Sequence, residues 1–260
     1  VDKEIGYVFF EDENRDPISC MYNYANHNHV AGVDTFHRDL GWIGNVLRRR
    51  LGVTDFATSL LAGASGNIMQ SVKVGQRDDS PALAWRIAEG VADAILESHG
   101  EGSPQEIRDL RFASEVLEIP DRSLEDSEFC EDNCRGTGPE YLKYARDRYG
   151  PEMIALQDRG PTSCLVEIGA ISMGDVAIAT NPAELFVEYG LEIKQKSPFE
   201  VTMISELTNG YCGYVPTEEG FAEKGYEAHR TVFTSRLAKN GGQIIADKSV
   251  EMLERCKAAM

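Results

Sequence analysis

Asn209-Gly210-Tyr211-Cys212-Gly213-Tyr214-Val215-Pro216-Thr217, followed by Gly225-Tyr226-Glu227, is the stretch on which the reading of this chain turns. Two upstream segments complete it: Asn181-Pro182-Ala183-Glu184, and Asn23-Tyr24-Ala25-Asn26-His27 near the start. Together they offer a His, a Glu and a Tyr, three side chains able to converge on one metal ion.

Each of these residues also has an ordinary structural reading. His27 and His29 follow a β-run at the point where a strand gives way to a loop, a common place for ligands, but a lone His there also serves as a satisfied structural residue. His37-Arg38-Asp39 lies just beyond. Asp39 either orients a ligating imidazole or caps the helix that begins at Leu40. Pro182 suits the first turn of a helix reaching to about Lys194, which places Glu184 in that turn, where a carboxylate favours the dipole. Tyr211, Tyr214 and Tyr226 can be core or rim aromatics, and spacing alone does not make a phenol a ligand. Gly63-Ala64-Ser65-Gly66-Asn67 is a small-residue loop after a strand. It is either a tight turn or a place where backbone N–H groups, near Ser65 and Gly66, face an oxyanion. It does not satisfy the Gly-x-Ser-x-Gly nucleophile pattern.

The bulk properties narrow the field. A chain of 260 residues with 42% hydrophobic content buries a sizeable core as one large domain or two small ones. A formal charge of −17 argues against a nucleic-acid groove or an electrostatic dock on anionic lipid. Arg48-Arg49-Arg50, the one basic run, reads as a solvated helix C-terminus. No apolar run of about 18 residues suggests a transmembrane segment. The abrupt start at Val1 suggests that polypeptide normally precedes it. Of the six cysteines, Cys20, Cys164 and Cys212 read as small buried hydrophobes. Cys130 and Cys134, in an acidic loop, read as a local disulfide or two free thiols.

Hydrophobic periodicity predicts strands at Glu4–Phe10, Pro17–Tyr24, Phe56–Leu61, Leu110–Ile119 and Phe199–Ser205, and a hairpin of Ser163–Ile171 with Val176–Thr180. It predicts helices at Asp39–Leu51, Pro81–Ser98, Tyr141–Leu156, from Pro182 to about Lys194, and at Lys248–Lys257. Strands and helices interleave, so the class is α/β or α+β with a mixed sheet.

In this order the segments resemble the catalytic domain of the neutral, non-lysosomal ceramidases. Asn23–His27, Asp39, Ala64–Asn67, Pro182-Ala183-Glu184, Asn209–Thr217 and Tyr226-Glu227 stand where that family carries its motifs. The resemblance implies an α/β fold, a mixed β-sheet core flanked by helices. It implies zinc (Zn2+) held by His27, Glu184, Tyr214 and a further His, with Tyr211 as the alternative phenol. It also implies that Tyr226 hydrogen-bonds the substrate amide or the tetrahedral intermediate.

The family's first zinc His has no counterpart here, so residues 1–260 are expected to form the C-terminal two-thirds of a single domain. An upstream segment or a separate chain would supply the missing ligand, and the oligomeric state is left open. The family's loop Ser aligns with Gly63, and the chain leaves no room for a C-terminal β-sandwich. The expected activity is therefore zinc-dependent hydrolysis of a small-molecule amide or related acyl bond, on something smaller or more polar than ceramide. A catalytically inactive, metal-binding scaffold or regulatory subunit is the alternative, and a plain interaction protein is a third reading.

Overall fold

The computed structural model describes residues 1–27, 39–68, 81–102, 104–107, 109–122, 151, 155, 158–223, 225–231 and 234–259. His29, His37, Cys130, Cys134 and most of the helix expected at Tyr141–Leu156 lie outside them. The chain divides into two compact units, Val1–Gly63 with Ile68–Arg108, and Ala64–Asn67 with Asp109–Met260.

In the first unit, β1 (Gly6–Glu11) and β2 (Pro17–Tyr24) pair antiparallel, and β3 (Ala57–Ala62) joins β2 in parallel. The helices α1 (Asp39–Leu51) and α2 (Pro81–Glu101) supply Ile43, Val46, Leu47, Ala88, Val91, Ala92 and Ile95 to a core shared with Cys20, Tyr22 and Phe56. The basic run ends α1 as expected, but two of its arginines are engaged. Arg48 donates through Nε to the Phe56 carbonyl at 2.8 Å, and Arg50 pairs with Asp93 at 3.0 Å.

The second unit is built on a four-stranded mixed sheet in the order β4 (Leu110–Pro120), β5 (Ser163–Met173), β6 (Val176–Thr180), β8 (Val201–Ser205). The first two pairings are antiparallel and the last is parallel. A separate parallel pair, β7 (Ala183–Leu185) with β9 (Gly213–Val215), stands apart from it. Helices α3 (Val187–Lys196) and α5 (Gly241–Ala258) close the core, and α4 (Glu218–Glu223) leads to a 3-10 turn at Tyr226–Ala228. Mixed sheets with flanking helices are what the alternation of elements predicts.

Two local predictions need correcting. Pro182 does not open a helix: residues 183–185 are a strand, and α3 begins only at Val187. Propensity at Asn-Pro-Ala-Glu yields here to tertiary pairing with β9. The terminal helix starts at Gly241, seven residues before the expected Lys248, because Gly241-Gly242 reads locally as a breaker. These glycines instead permit close packing. A Cβ on Gly242 would lie 2.2–2.4 Å from the ring carbons of buried Tyr189.

The structure also shows an apolar surface that the sequence does not make evident. One sheet face exposes Leu110, Phe112 and Val116 of β4 and Leu165 of β5. Cys20, Cys164, Cys212 and Cys256 are buried free thiols, and burial pushes those of Cys20 and Cys212 up to about 12, so they act as hydrophobes.

The Gly242–Tyr189 contact predicts that Gly242→Ala lowers stability by about 1–3 kcal/mol through overpacking, while exposed Glu254→Ala changes little. Urea midpoints measure both. Equal midpoints for the two variants would contradict the packing account.

Candidate functional site

The β7–β9 pair decides where the expected ligands stand. Its register sets Ala183 opposite Gly213, Glu184 opposite Tyr214 and Leu185 opposite Val215. Directly paired residues in adjacent strands project from the same face, so the Glu184 carboxylate and the Tyr214 phenol leave the pair side by side. The strand also explains their exposure. Ala183 and Leu185 point into the core, while Glu184 and Tyr214 are only partly buried. Tyr211 joins them: its hydroxyl donates to Glu184 Oε1 at 2.7 Å. Two expected ligands and the alternative phenol thus form one cluster. The backbone turns sharply to bring Tyr211 there, with Leu207 and Asn209 in the left-handed region at φ 56° and 61°. Gly213 at φ 85° requires a residue without a Cβ.

The small-residue loop serves a different purpose from the one expected. Gly66 donates its N–H to the Leu185 carbonyl at 2.9 Å, and a Cβ there would lie 2.5 Å from the Glu184 carbonyl oxygen. The glycine's close approach is to β7 itself. Asn67 continues the attachment, accepting the Val187 N–H at 2.9 Å and donating to Glu188 at 2.8 Å. That side chain caps α3, whose own Phe186 offers no capping group. Ser65 donates its N–H and its hydroxyl to Glu206, at 3.2 and 2.6 Å. The Ser65 and Gly66 amides are therefore engaged within the protein in this arrangement, and their visible role is to fix the loop.

Glu206 is the residue that sequence reasoning missed. It is 4% exposed, and its Oε2 accepts both the Ser65 N–H and the Leu185 N–H, the latter at 3.0 Å. Burial pushes its carboxyl up to about 8, and the Ser65 and Leu185 hydrogen bonds only partly offset that. The sole signal in the sequence is an acid directly after an apolar strand, which looks like the start of a solvated loop.

His27 is half-buried and belongs to the first unit, whereas Glu184, Tyr211 and Tyr214 belong to the second. Asp39 opens α1. The backbone of Tyr226 opens the 3-10 turn, which packs against β9. Among the described residues, no three His, Cys, Asp or Glu side chains converge as a metal group. The donors assembled at β7–β9 are one carboxylate and two phenols. These are oxygen ligands a zinc ion accepts only as part of a larger set, so they fit as half of a site. A cavity of about 340 Å³ in the same unit is lined by Asn67, Phe186 and the four glutamates Glu188, Glu219, Glu223 and Glu227, among others.

This architecture has solved counterparts. The chain superimposes on a ceramidase complexed with C2 with a TM-score of 0.68 and 13% identity, over 100% of this chain and 49% of that one. It superimposes on the neutral ceramidase from Pseudomonas aeruginosa with a TM-score of 0.63 and 16% identity, over 98% of this chain and 47% of that one. The shared fold is that of a ceramidase. The chain spans about half the length of these structures. No family model and no curated protein matches the sequence.

Glu206 gives the ceramidase-like unit a specific pH response. A carboxyl raised from 4.5 to about 8 binds its proton more tightly folded than unfolded. The contribution of Glu206 to stability is therefore fully present below about pH 4.5 and is lost, by a few kcal/mol, as pH rises through about 8. Glu206→Gln mimics the neutral acid: its carbonyl accepts the two N–H groups and its amide donates to Ser65 Oγ. It should match the wild type near pH 5 and exceed it near pH 8.5. Urea midpoints across this range test the claim, and a wild type that gains stability from Glu206 with rising pH would contradict it.

Proposed function

We propose that this chain is the C-terminal two-thirds of a zinc-dependent hydrolase domain acting on an amide or related acyl bond. The observation that carries the reading is the register pairing of Glu184 with Tyr214, with Tyr211 donating to the same carboxylate. His27 would be the third protein donor, and a His from polypeptide outside this chain the fourth. The match to about half of each solved ceramidase chain supports a larger working assembly.

Zinc bound by these groups would supply Lewis acidity toward an amide carbonyl and toward water. The chain's own residues do the rest. The Tyr211 hydroxyl fixes the Glu184 carboxylate by taking up Oε1. Parallel pairing holds the Tyr214 phenol beside it, and Glu206 locks β7 from behind through the Leu185 N–H. Tyr226, at the start of a turn packed on β9, is assigned the hydrogen bond to the substrate amide as its carbonyl oxygen gains charge. Ser65 and Gly66, expected as oxyanion donors, are assigned instead to holding the loop on β7, because Glu206 and Leu185 already accept their N–H groups.

A polar substrate, smaller than ceramide, suits the acidic cavity and the net charge of −17. The exposed apolar face of β4 and β5 is the feature that would favour a lipid instead.

The complete assembly, purified without chelators, should contain zinc and hydrolyse N-acyl amino acids or short amides faster than short-chain ceramide. Glu184→Gln should lower zinc affinity at least about tenfold, the scale on which even outer-shell changes act. Unchanged zinc content in Glu184→Gln would overturn the ligand assignment. Bound zinc with no turnover of any amide would favour the inactive scaffold, and equal turnover of ceramide would remove the small-substrate claim alone.

A further inference from the structure

A second cluster of polar groups, which the hydrolase reading does not use, lies where β4 ends. Asp121 accepts Arg236 Nε at Oδ1 and Arg236 Nη2 at Oδ2, both at 3.0 Å, and also the Thr162 hydroxyl. Arg230 Nη2 stands 3.6 Å from the same Oδ2. Two guanidinium groups thus share one carboxylate. A third, Arg122, lies beside them, donating to the Ala228 carbonyl at 2.7 Å and covering the Phe221 ring at 4.9 Å.

Arg230 is 3% exposed, and a buried cation is costly unless it is matched. Its Nη1 donates to the Thr231 carbonyl, but its Nε has no hydrogen-bond partner among the described residues. The hydroxyl of Ser235, 1% exposed, also has none among the described residues. Buried donors of this kind are rare and call for an acceptor. Both belong to one short segment, closed by Thr231 N–H to the Thr234 carbonyl at 3.0 Å and by the paired threonine hydroxyls at 2.7 Å. Burial pushes the Arg230 guanidinium down from its ordinary value, and the charges of Arg236 and Arg159 add to that against Asp121 alone. Positive charge is thus concentrated at one place in a strongly acidic chain.

We propose that this nest binds a small oxyanion, a carboxylate or a phosphate. Arg230 Nε and Ser235 Oγ donate to it, and Arg236 supplies the second charge. Guanidinium groups suit such ligands because their donors lie in a fixed plane that matches paired oxygens. The site does not depend on the metal reading. Its oxyanion either comes free from solution or is carried by the substrate of the proposed hydrolysis.

Calorimetry and thermal unfolding at constant ionic strength test this with four probes: inorganic phosphate, N-acetylglycine, its neutral amide, and sodium chloride as control. Phosphate or N-acetylglycine should bind and raise the melting temperature, and the neutral amide and chloride should not. Phosphate binding alone identifies a free anion, and N-acetylglycine binding identifies a carboxylate carried by an organic molecule. Arg230→Met should weaken binding at least about tenfold, as loss of a charged hydrogen bond does. Ser235→Ala should weaken it severalfold without lowering the ligand-free melting temperature, because its hydroxyl has no partner to lose among the described residues. If Arg230→Met fails to fold, Ser235→Ala decides alone. No response to either oxyanion beyond the chloride control, or wild-type affinity in Ser235→Ala, would overturn the proposal.

Discussion

One buried carboxyl organises the candidate site. Glu206 reaches two elements far apart in sequence, the loop at residues 64–67 and the strand β7, and satisfies a backbone N–H on each. Without it, the Ser65 and Leu185 amides would be buried donors lacking this acceptor, at about 1–3 kcal/mol each. The strand it steadies carries Glu184, and Glu184 is the residue that Tyr214 and Tyr211 meet. The geometry of the proposed metal half-site therefore depends on a group that would not touch the metal. The cost of that arrangement is a carboxyl raised to about 8 by burial.

The loop and the strand are fitted to each other at several points. Gly66 must be glycine because the Glu184 carbonyl occupies the space a Cβ would need. Asn67 caps a helix belonging to another part of the sequence. Gly190 repeats the device on α3, where a Cβ would lie 2.6 Å from the methyl of Ala64. Small residues here allow backbone to approach backbone, and the rigidity this gives is what a preorganised site needs.

Much of the fold could be read from hydrophobic period alone. Asp39–Leu51, Pro17–Tyr24 and Val176–Thr180 have the expected bounds, since each carries an unambiguous helical or extended pattern. The short strands β7 and β9 could not be read, because three residues are too few to establish a period and their pairing is non-local. The same non-locality hid the function of the loop: nothing near Ser65 in sequence announces Glu206. The pairing of Glu184 with Tyr214 was legible only as two motifs expected to meet, and the placement of Glu184 in a helix was wrong. Pro182 and the acid two residues later imitate a helix start, and β9 overrides that local preference. The arginine nest was invisible for a related reason. Arg122, Arg230 and Arg236 are isolated in sequence and become neighbours only in the fold.

The central claim is that β7 and β9 present Glu184 and Tyr214 to one metal ion. Crystals of the complete assembly, measured at the zinc absorption edge, address it directly. The account predicts an anomalous peak about 2 Å from both the Glu184 carboxylate and the Tyr214 phenol oxygen. A zinc peak remote from these two oxygens, or none there in protein that carries stoichiometric zinc, would contradict it.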